Sequence, residues 1–457
     1  MNLDYISTQV EQQRNYFNQN NTKPLKERIF QIKKLRDLIK EHETELQDAI
    51  YDDFGKSAFE VYGTELSVLY NSIKDTLKNL RRWAAKKNVA TNMLNFPARS
   101  YIIPEPLGVC LVIGAWNYPY ILSLDPVICA LAAGNTVILK PSEVPSRTSA
   151  IMAKIINENF DAKYFTVIEG GIEITTETLK QKFDKIFFTG SPTVGKIVYQ
   201  AAAKHLTPVT LELGGKSPAI ITEDANMKMT VKRLVWGKFI NAGQTCIAPD
   251  YVLVHESRVQ EFLEKTKKEI LKADYAIKNG NYVSIINTKN TERIARLIDT
   301  DKVYFGGNYN IDNRYIEPTL LENIRFDDAI MQEEIFGPVL PVISYTNLDE
   351  ALVKVKQLDK PLSLYVFSSS AKTKKKIFSE ISFGGGCAND TIMHISNPNL
   401  PFGGVGNSGQ GSYHGEAGFK TFSHYKSILD KPTWLEFTIK YSPYTSLKKK
   451  LIKLLMD

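Results

Sequence analysis

Cysteine is scarce in this chain. Its 457 residues hold four, Cys110, Cys129, Cys246 and Cys387, and no two form a CxxC pair. The six histidines are scattered among them, so no metal site is expected. Unpaired thiols suit a reducing compartment, and a cytoplasmic location is the expectation. Long apolar runs are missing too. Nothing approaches the roughly 18 residues of a transmembrane helix. The opening "MNLDYISTQVEQQRNYF" lacks the basic-then-apolar layout of a secretory leader. No long basic tract exists, and a net charge of +7 is modest at this length, so no nucleic-acid partner is expected.

What is present is a soluble composition, 43% hydrophobic and 11% aromatic, on a chain too long for one ordinary core. From Lys23 to Trp83 the pattern is helical, with Leu25, Ile29, Ile32, Leu35 and Ile39 on one stripe. "TNMLNFPARSYIIPEP" breaks that pattern and reads as an extended strand, an arm leaving the body. Strands and helices then alternate. "GVCLVIGA" and "NTVILKPS" are strands around the helix "SLDPVICALAAG", which Gly134 closes. "KIFFTG" leads into a helix with Pro192 in its first turn, and "PVTLELGG" is a further strand. The alternation resumes after Asp250, in "YVLVHE", "LPVISY" and "LSLYVFS". Two α/β units with parallel sheets follow, joined near Glu212 to Gly215. "NPNLPFGGVGNSGQGSYHG" reads as a long irregular loop, a type that is often functional. Cys110 and Cys129 lie in apolar runs and read as small buried hydrophobes. At the end, Leu447, Leu451, Leu454 and Leu455 fall at helical spacing among lysines. Such a tail packs on its own chain or a partner subunit, or makes weak peripheral contact with an anionic membrane.

Several stretches carry chemistry. "GSPTVGKI" fits most of a nucleotide phosphate loop through Gly190, Gly195 and Lys196, but Ile197 lacks the hydroxyl that would hold magnesium. Ser191 and Pro192 also break the dinucleotide glycine fingerprint. What survives is a glycine that lets an anion approach a helix N-terminus, or else a structural turn. "FINAGQTCIAPD" sets Cys246 in a small, polar segment, where it is either an inert thiol or a nucleophile. "TLELGGKSP" ends an apolar strand in Glu212, a capping or salt-bridged group or a general base with a raised pKa. "IGAWNYPY" puts Asn117 past the first parallel strand, as a turn residue or an oxyanion donor. "VILKPSE" places Lys140 and Glu143 at a strand end, where a carboxylate commonly grips ribose hydroxyls.

Together "WNYP", "LKPSE", "FTGSPTVGK", "LELGGKSP", "NAGQTC", "EEIFGP" and "LPFGGVGNSG" resemble, in order, the motifs of the aldehyde dehydrogenase superfamily. The chain is most similar to its class 3, fatty-aldehyde-dehydrogenase-like branch. The resemblance implies an α/β fold with a Rossmann-like cofactor domain (1–88 and 107–212) and an α/β catalytic domain (213–420). It further implies a β oligomerisation arm (89–106 and 421–445), which leaves a basic tail (446–457). It implies a homodimer, NAD or NADP as cofactor, and oxidation of a small-molecule aldehyde to its acid. Cys246 is then the nucleophile, Glu212 the general base and Asn117 the oxyanion donor. Trp116, Lys140, Glu143, Gly190, Ser191, Val194, Gly195, Leu213, Glu334 and Phe336 are cofactor residues by the same similarity. Fatty, aromatic and polyene (apocarotenoid-like) aldehydes are the expected substrates. Alternatives are a coenzyme-A-acylating relative, against which Glu212 argues, and a phosphate-loop NTPase or a scaffold without activity.

Overall fold

A computed structural model describes residues 4–456. Met1 to Leu3, where the leader was sought, and Asp457, the last residue of the tail, lie outside the described residues. Helices form first. Asp4–Asn18 buries Ile6, Val10 and Gln13, and Gln13 Nε2 donates to the Val137 carbonyl at 2.9 Å, tying this helix to a central strand. The stripe read over Lys23 to Trp83 is divided among Leu25–Glu41, Glu43–Phe54, Ala58–Val61 and Ser67–Trp83. A π-helical turn, Tyr62–Leu66, lies between the last two.

The first sheet has six strands, in the order Gly409–Gln410, Val209–Glu212, Lys185–Thr189, Val109–Ile113, Thr136–Lys140, Phe165–Val167. All pairs are parallel except the outermost, where Gly409 lies antiparallel to Glu212. The central strands are buried along their whole length, as expected of a parallel sheet covered by helices on both faces. Pro119–Ala133, buried throughout, covers one face and ends at Gly134 with φ +96°. Only a residue without Cβ takes that left-handed turn at no cost.

The second sheet has seven strands, with Pro218–Ile221, Tyr251–His255, Val339–Tyr345 and Ser363–Phe367 at its centre. Three further strands, Lys87–Val89, Arg99–Pro106 and Ser423–Asp430, form a separate antiparallel arm. The loop read as irregular near the end does contain one regular piece. Gly409–Gln410 returns to the edge of the first sheet beside Glu212, although glycine and glutamine carry no strand propensity to announce it. The tail is a helix, Ser446–Met456, whose Leu447, Leu451 and Leu454 are 66%, 43% and 78% exposed, so packing on its own chain does not cover this face. Among the described residues no helix is long and apolar enough to cross a membrane.

Candidate active site

In the first sheet the chain runs outward in both directions from Val109–Ile113, so the strand order reverses beside it. Ligands of open α/β sheets sit outside the carboxyl ends of the strands at such a point. There the structure has a cleft of about 560 Å³. It runs from Lys140 and Glu143 past Gly190, Ser191 and Val194 to Asn117, Glu212, Cys246 and Glu334. Trp116, Leu213 and Phe336 line it as well. The sequence had spread these residues over more than two hundred positions; strand ends and the loops after them bring them together.

Gly195 is the exception and does not itself line the cleft. It is buried away from the cleft, and a Cβ there would stand 2.8 Å from Leu213 Cδ2. Its smallness lets the Pro192–Ala203 helix pack on the strand that ends at Glu212. Lys196 is exposed and outside the cleft, so the phosphate-loop reading loses its lysine. Ser191 caps that helix by accepting the Val194 N–H at 3.4 Å.

At the inner end, Glu212 is 3% exposed and neither carboxyl oxygen has a hydrogen-bond partner. No salt bridge or cap holds it, so burial drives its pKa well above the ordinary carboxylate range. Burial, with Glu334 and Glu212 nearby, likewise raises the Cys246 thiol, while the N–H groups of Cys246 and Ile247 pull the other way. Glu334 rises to about 8, chiefly through burial and then through Asp250. All three shifts favour the protonated form, and each group raises or is raised by its acidic neighbours in the same cleft.

The Cys246 loop is built on unusual backbone. Asn241, Ala242 and Gly243 all take left-handed φ, at 52°, 51° and 72°. The loop is fastened by Gln244, whose Nε2 donates to the Asn241 and Ser284 carbonyls, both at 3.1 Å. Its Oε1 accepts the Ile286 N–H at 2.9 Å. Asn117 Nδ2 donates to the Gln244 carbonyl at 3.0 Å, which spends one amide hydrogen and leaves the other for a ligand. At Gly243 a Cβ would meet the Gly337 carbonyl oxygen at 2.3 Å. Gly243→Ala is therefore expected to displace the thiol loop. Turnover should fall about a hundredfold, the effect of a 1 Å misplacement, with thermal denaturation showing a milder loss. An unchanged rate would show that the loop tolerates the shift.

The outer cleft suits a dinucleotide. Lys140 is buried, and its Nζ donates to the Pro141 carbonyl at 2.6 Å and to Glu143 at 3.3 Å. Thr189, also lining the cleft, has a buried hydroxyl with no partner. Glu334 is held by its neighbours. Arg293 donates to the Glu334 and Ile335 carbonyls, and Asp250 accepts the Ile335 N–H at 2.9 Å. Phe336, at φ +50°, meets the Trp116 ring edge-on at 5.3 Å between centroids. An orphaned hydroxyl, a helix N-terminus at Ser191 and two carboxylates lining one cleft fit such a ligand. Sequence reading missed Arg293, Leu362 and Phe402 in this cleft. It also missed Gln244. Gln244 and Phe402 lie inside the quoted motifs "NAGQTC" and "LPFGGVGNSG" without having been singled out, whereas Arg293 and Leu362 lie in segments of ordinary local pattern.

Parallel α/β sheets with a nucleotide-type cleft that ends at a thiol define an α/β oxidoreductase. Comparison with known proteins makes the class specific. The aldehyde dehydrogenase family model matches residues 3–428. The chain is 48% identical to the 4,4'-diaponeurosporen-aldehyde dehydrogenase of Staphylococcus aureus (strain NCTC 8325 / PS 47), over 96% of each chain. It is 44% identical to the dimeric NADP-preferring aldehyde dehydrogenase of Canis lupus familiaris, over 98% of this chain and 99% of that one. Among solved structures, the substrate-bound state of Staphylococcus aureus AldH superimposes with a TM-score of 0.96 at 47% identity, covering 99% of both. The chain belongs to the aldehyde dehydrogenase family.

Proposed function

We propose that this protein oxidises a long apolar aldehyde, of the polyene or fatty type, to its carboxylic acid, with NAD or NADP as hydride acceptor. Aldehyde oxidation follows from the family. Release of the product by water, rather than by coenzyme A, rests on one observation above all: Glu212 is buried in the same cleft as Cys246 with no protein partner for either oxygen. A carboxyl kept free and of raised pKa is suited to take a proton from water near neutral pH.

The chain's own groups carry the following steps. The Cys246 sulfur attacks the carbonyl carbon and gives a thiohemiacetal. The uncommitted Asn117 N–H and the backbone N–H of Cys246 take the oxyanion. A bound dinucleotide supplies the acceptor for the hydride that leaves this carbon. The resulting thioester on Cys246 is hydrolysed by water that has passed its proton to Glu212. Lys140 and Glu143 would hold the outer ribose and Glu334 the inner one, while Gly190, Ser191 and Val194 flank the phosphates. Phe336 and Trp116 would wall the ring.

Two observations support an apolar substrate. A relative 48% identical is named for a diaponeurosporen-aldehyde, and the inner cleft is lined by Leu122, Leu362, Phe402 and Phe336. We read the chain as two functional domains, 1–88 with 107–212 for the cofactor and 213–420 for catalysis. The exposed antiparallel arm and the dimeric name of a relative support a homodimer formed through 89–106 and 421–445. The deciding experiment is a panel of aldehydes from short aliphatic to long polyenal, each assayed with NAD and with NADP, with the product identified by mass spectrometry. The acid from long substrates, at kcat/KM well above the short ones, is the expected result. Preference for short polar aldehydes, or an acyl-CoA product, would overturn it.

A further inference from the structure

Three charged groups behind the site are absent from the steps above. Lys56 is fully buried, and its Nζ donates to Glu65 Oε1 at 3.2 Å and to the main-chain carbonyl of Asn117 at 3.3 Å. It also lies over the Tyr118 ring, 4.4 Å from the centroid. Glu65, fully buried as well, accepts the Tyr120 N–H at 2.8 Å with its other oxygen. Glu60 Oε1 accepts the Asn241 N–H at 2.9 Å. So one short segment grips both halves of the oxyanion site. Lys56 and Glu65 hold the turn that carries Asn117, and Glu60 holds the start of the loop that carries Cys246.

The π turn at Tyr62–Leu66 explains how one segment does both. In an α-helix, residues five apart point about 140° away from each other. An i→i+5 turn brings them back to one face, and such turns recur at functional sites. Glu60 and Glu65 accordingly both feel the Lys56 charge. A buried charge cluster is costly, and well-packed apolar residues of similar volume are often as stable or more so. Stability alone therefore does not account for these three residues.

We propose that Lys56, Glu60 and Glu65 are positioning residues that fix the Asn117 amide against the Cys246 loop, so that both donors meet one oxyanion. The inference rests on the oxyanion role given to Asn117 above. It predicts a particular split of properties. The thiol itself is untouched, and so is the outer cleft. Only steps that build negative charge on oxygen suffer.

The test uses the full chain and three assays: aldehyde turnover, hydrolysis of a p-nitrophenyl ester, and alkylation of Cys246 by iodoacetamide. The ester needs the thiol and the oxyanion donors but no hydride acceptor; alkylation needs the thiol alone. The double variant Lys56→Met/Glu65→Leu removes the buried charges as a pair. It should retain thermal stability and alkylation rate, hold KM near the parent value, and lose kcat and ester hydrolysis together by about ten- to a hundredfold, less than the loss of a whole donor. Should the double variant fail to fold, Glu60 decides. Glu60→Gln keeps an acceptor for the Asn241 N–H and should stay near the parent, whereas Glu60→Leu should lose kcat. A stable double variant with parental kcat, or Glu60→Leu equal to Glu60→Gln, overturns the proposal. Asn117→Ala separates the two levels: if it leaves ester hydrolysis unchanged, the oxyanion reading itself fails. If it lowers hydrolysis while the Lys56 and Glu60 variants do not, only the positioning role falls.

Discussion

Cys246→Ala is expected to abolish aldehyde-dependent reduction of the dinucleotide, by at least about ten-thousandfold, as for removal of a nucleophile that acts with partner groups as a unit. Among the described residues the polar side chains beside this sulfur in the inner cleft are the carboxyls of Glu212 and Glu334 and the amide of Asn117, weaker nucleophiles toward a carbonyl carbon than a thiolate. Sulfur is lost from a half-buried position, so folding should be little affected. Thermal denaturation and dinucleotide affinity, followed by quenching of tryptophan fluorescence, should match the parent. Trp116 in the cleft wall is the natural reporter. Turnover comparable to the parent would remove the covalent route altogether and leave direct oxidation of an aldehyde hydrate.

The second large effect is expected from Glu212→Gln. Attack and hydride loss need no base on the water side, so the variant should give one rapid equivalent of reduced dinucleotide and then stall. Steady-state turnover should fall by about a hundred- to ten-thousandfold, the range for a positioned general base. Intact-mass analysis of the stalled enzyme should show the acyl group on the chain, lost when Cys246 is replaced. The pH dependence has a definite sign. Glu212 works only when deprotonated, and its burial raises its pKa, so parental turnover should climb with pH over a range well above that of an ordinary carboxylate. That rising limb should flatten in Glu212→Gln. A variant with no burst, or with the limb intact, would assign the base elsewhere.

Much of this was legible in the sequence, for physical reasons that differ from residue to residue. The buried parallel strands announced themselves as unbroken apolar runs; Gly134 marked a helix end because it takes a left-handed turn without strain, and Pro192 a helix start because its fixed φ suits the first turn. Glu212 stood out because a charge ends an apolar strand, Asn117 because it follows the first parallel strand, and Cys246 because its segment is small and polar, unlike those of Cys110 and Cys129. Their convergence on one cleft was not legible locally, since it depends on the order in which strands enter the sheet. Gly195 shows a different limit of local reading. A glycine near an anion loop and a glycine under a helix look alike in sequence, and only the 2.8 Å approach of Leu213 to its missing Cβ tells them apart. Lys56, Glu60 and Glu65 were hidden by the helical pattern, in which charges between apolar residues normally face water. Glu65 lies in the π turn, which carries no residue signature and buries it together with Leu66.

The antiparallel strand Gly409–Gln410 has a consequence for how the chain is made. The edge of the first sheet that carries Glu212 is closed by residues translated long after it. The arm adds another such tie, because Asn135 donates to the Phe422 carbonyl across 287 residues. At about 5–20 residues per second, the stretch from Glu212 to Gly409 takes on the order of ten to forty seconds on the ribosome. For that time the nascent first sheet presents a bare strand edge, with a catalytic carboxylate at its end, to anything able to pair with it. The cofactor-side sheet is therefore complete only when almost the whole chain has been synthesised. Premature termination anywhere in the second sheet would leave that edge open as a site for aggregation or chaperone capture.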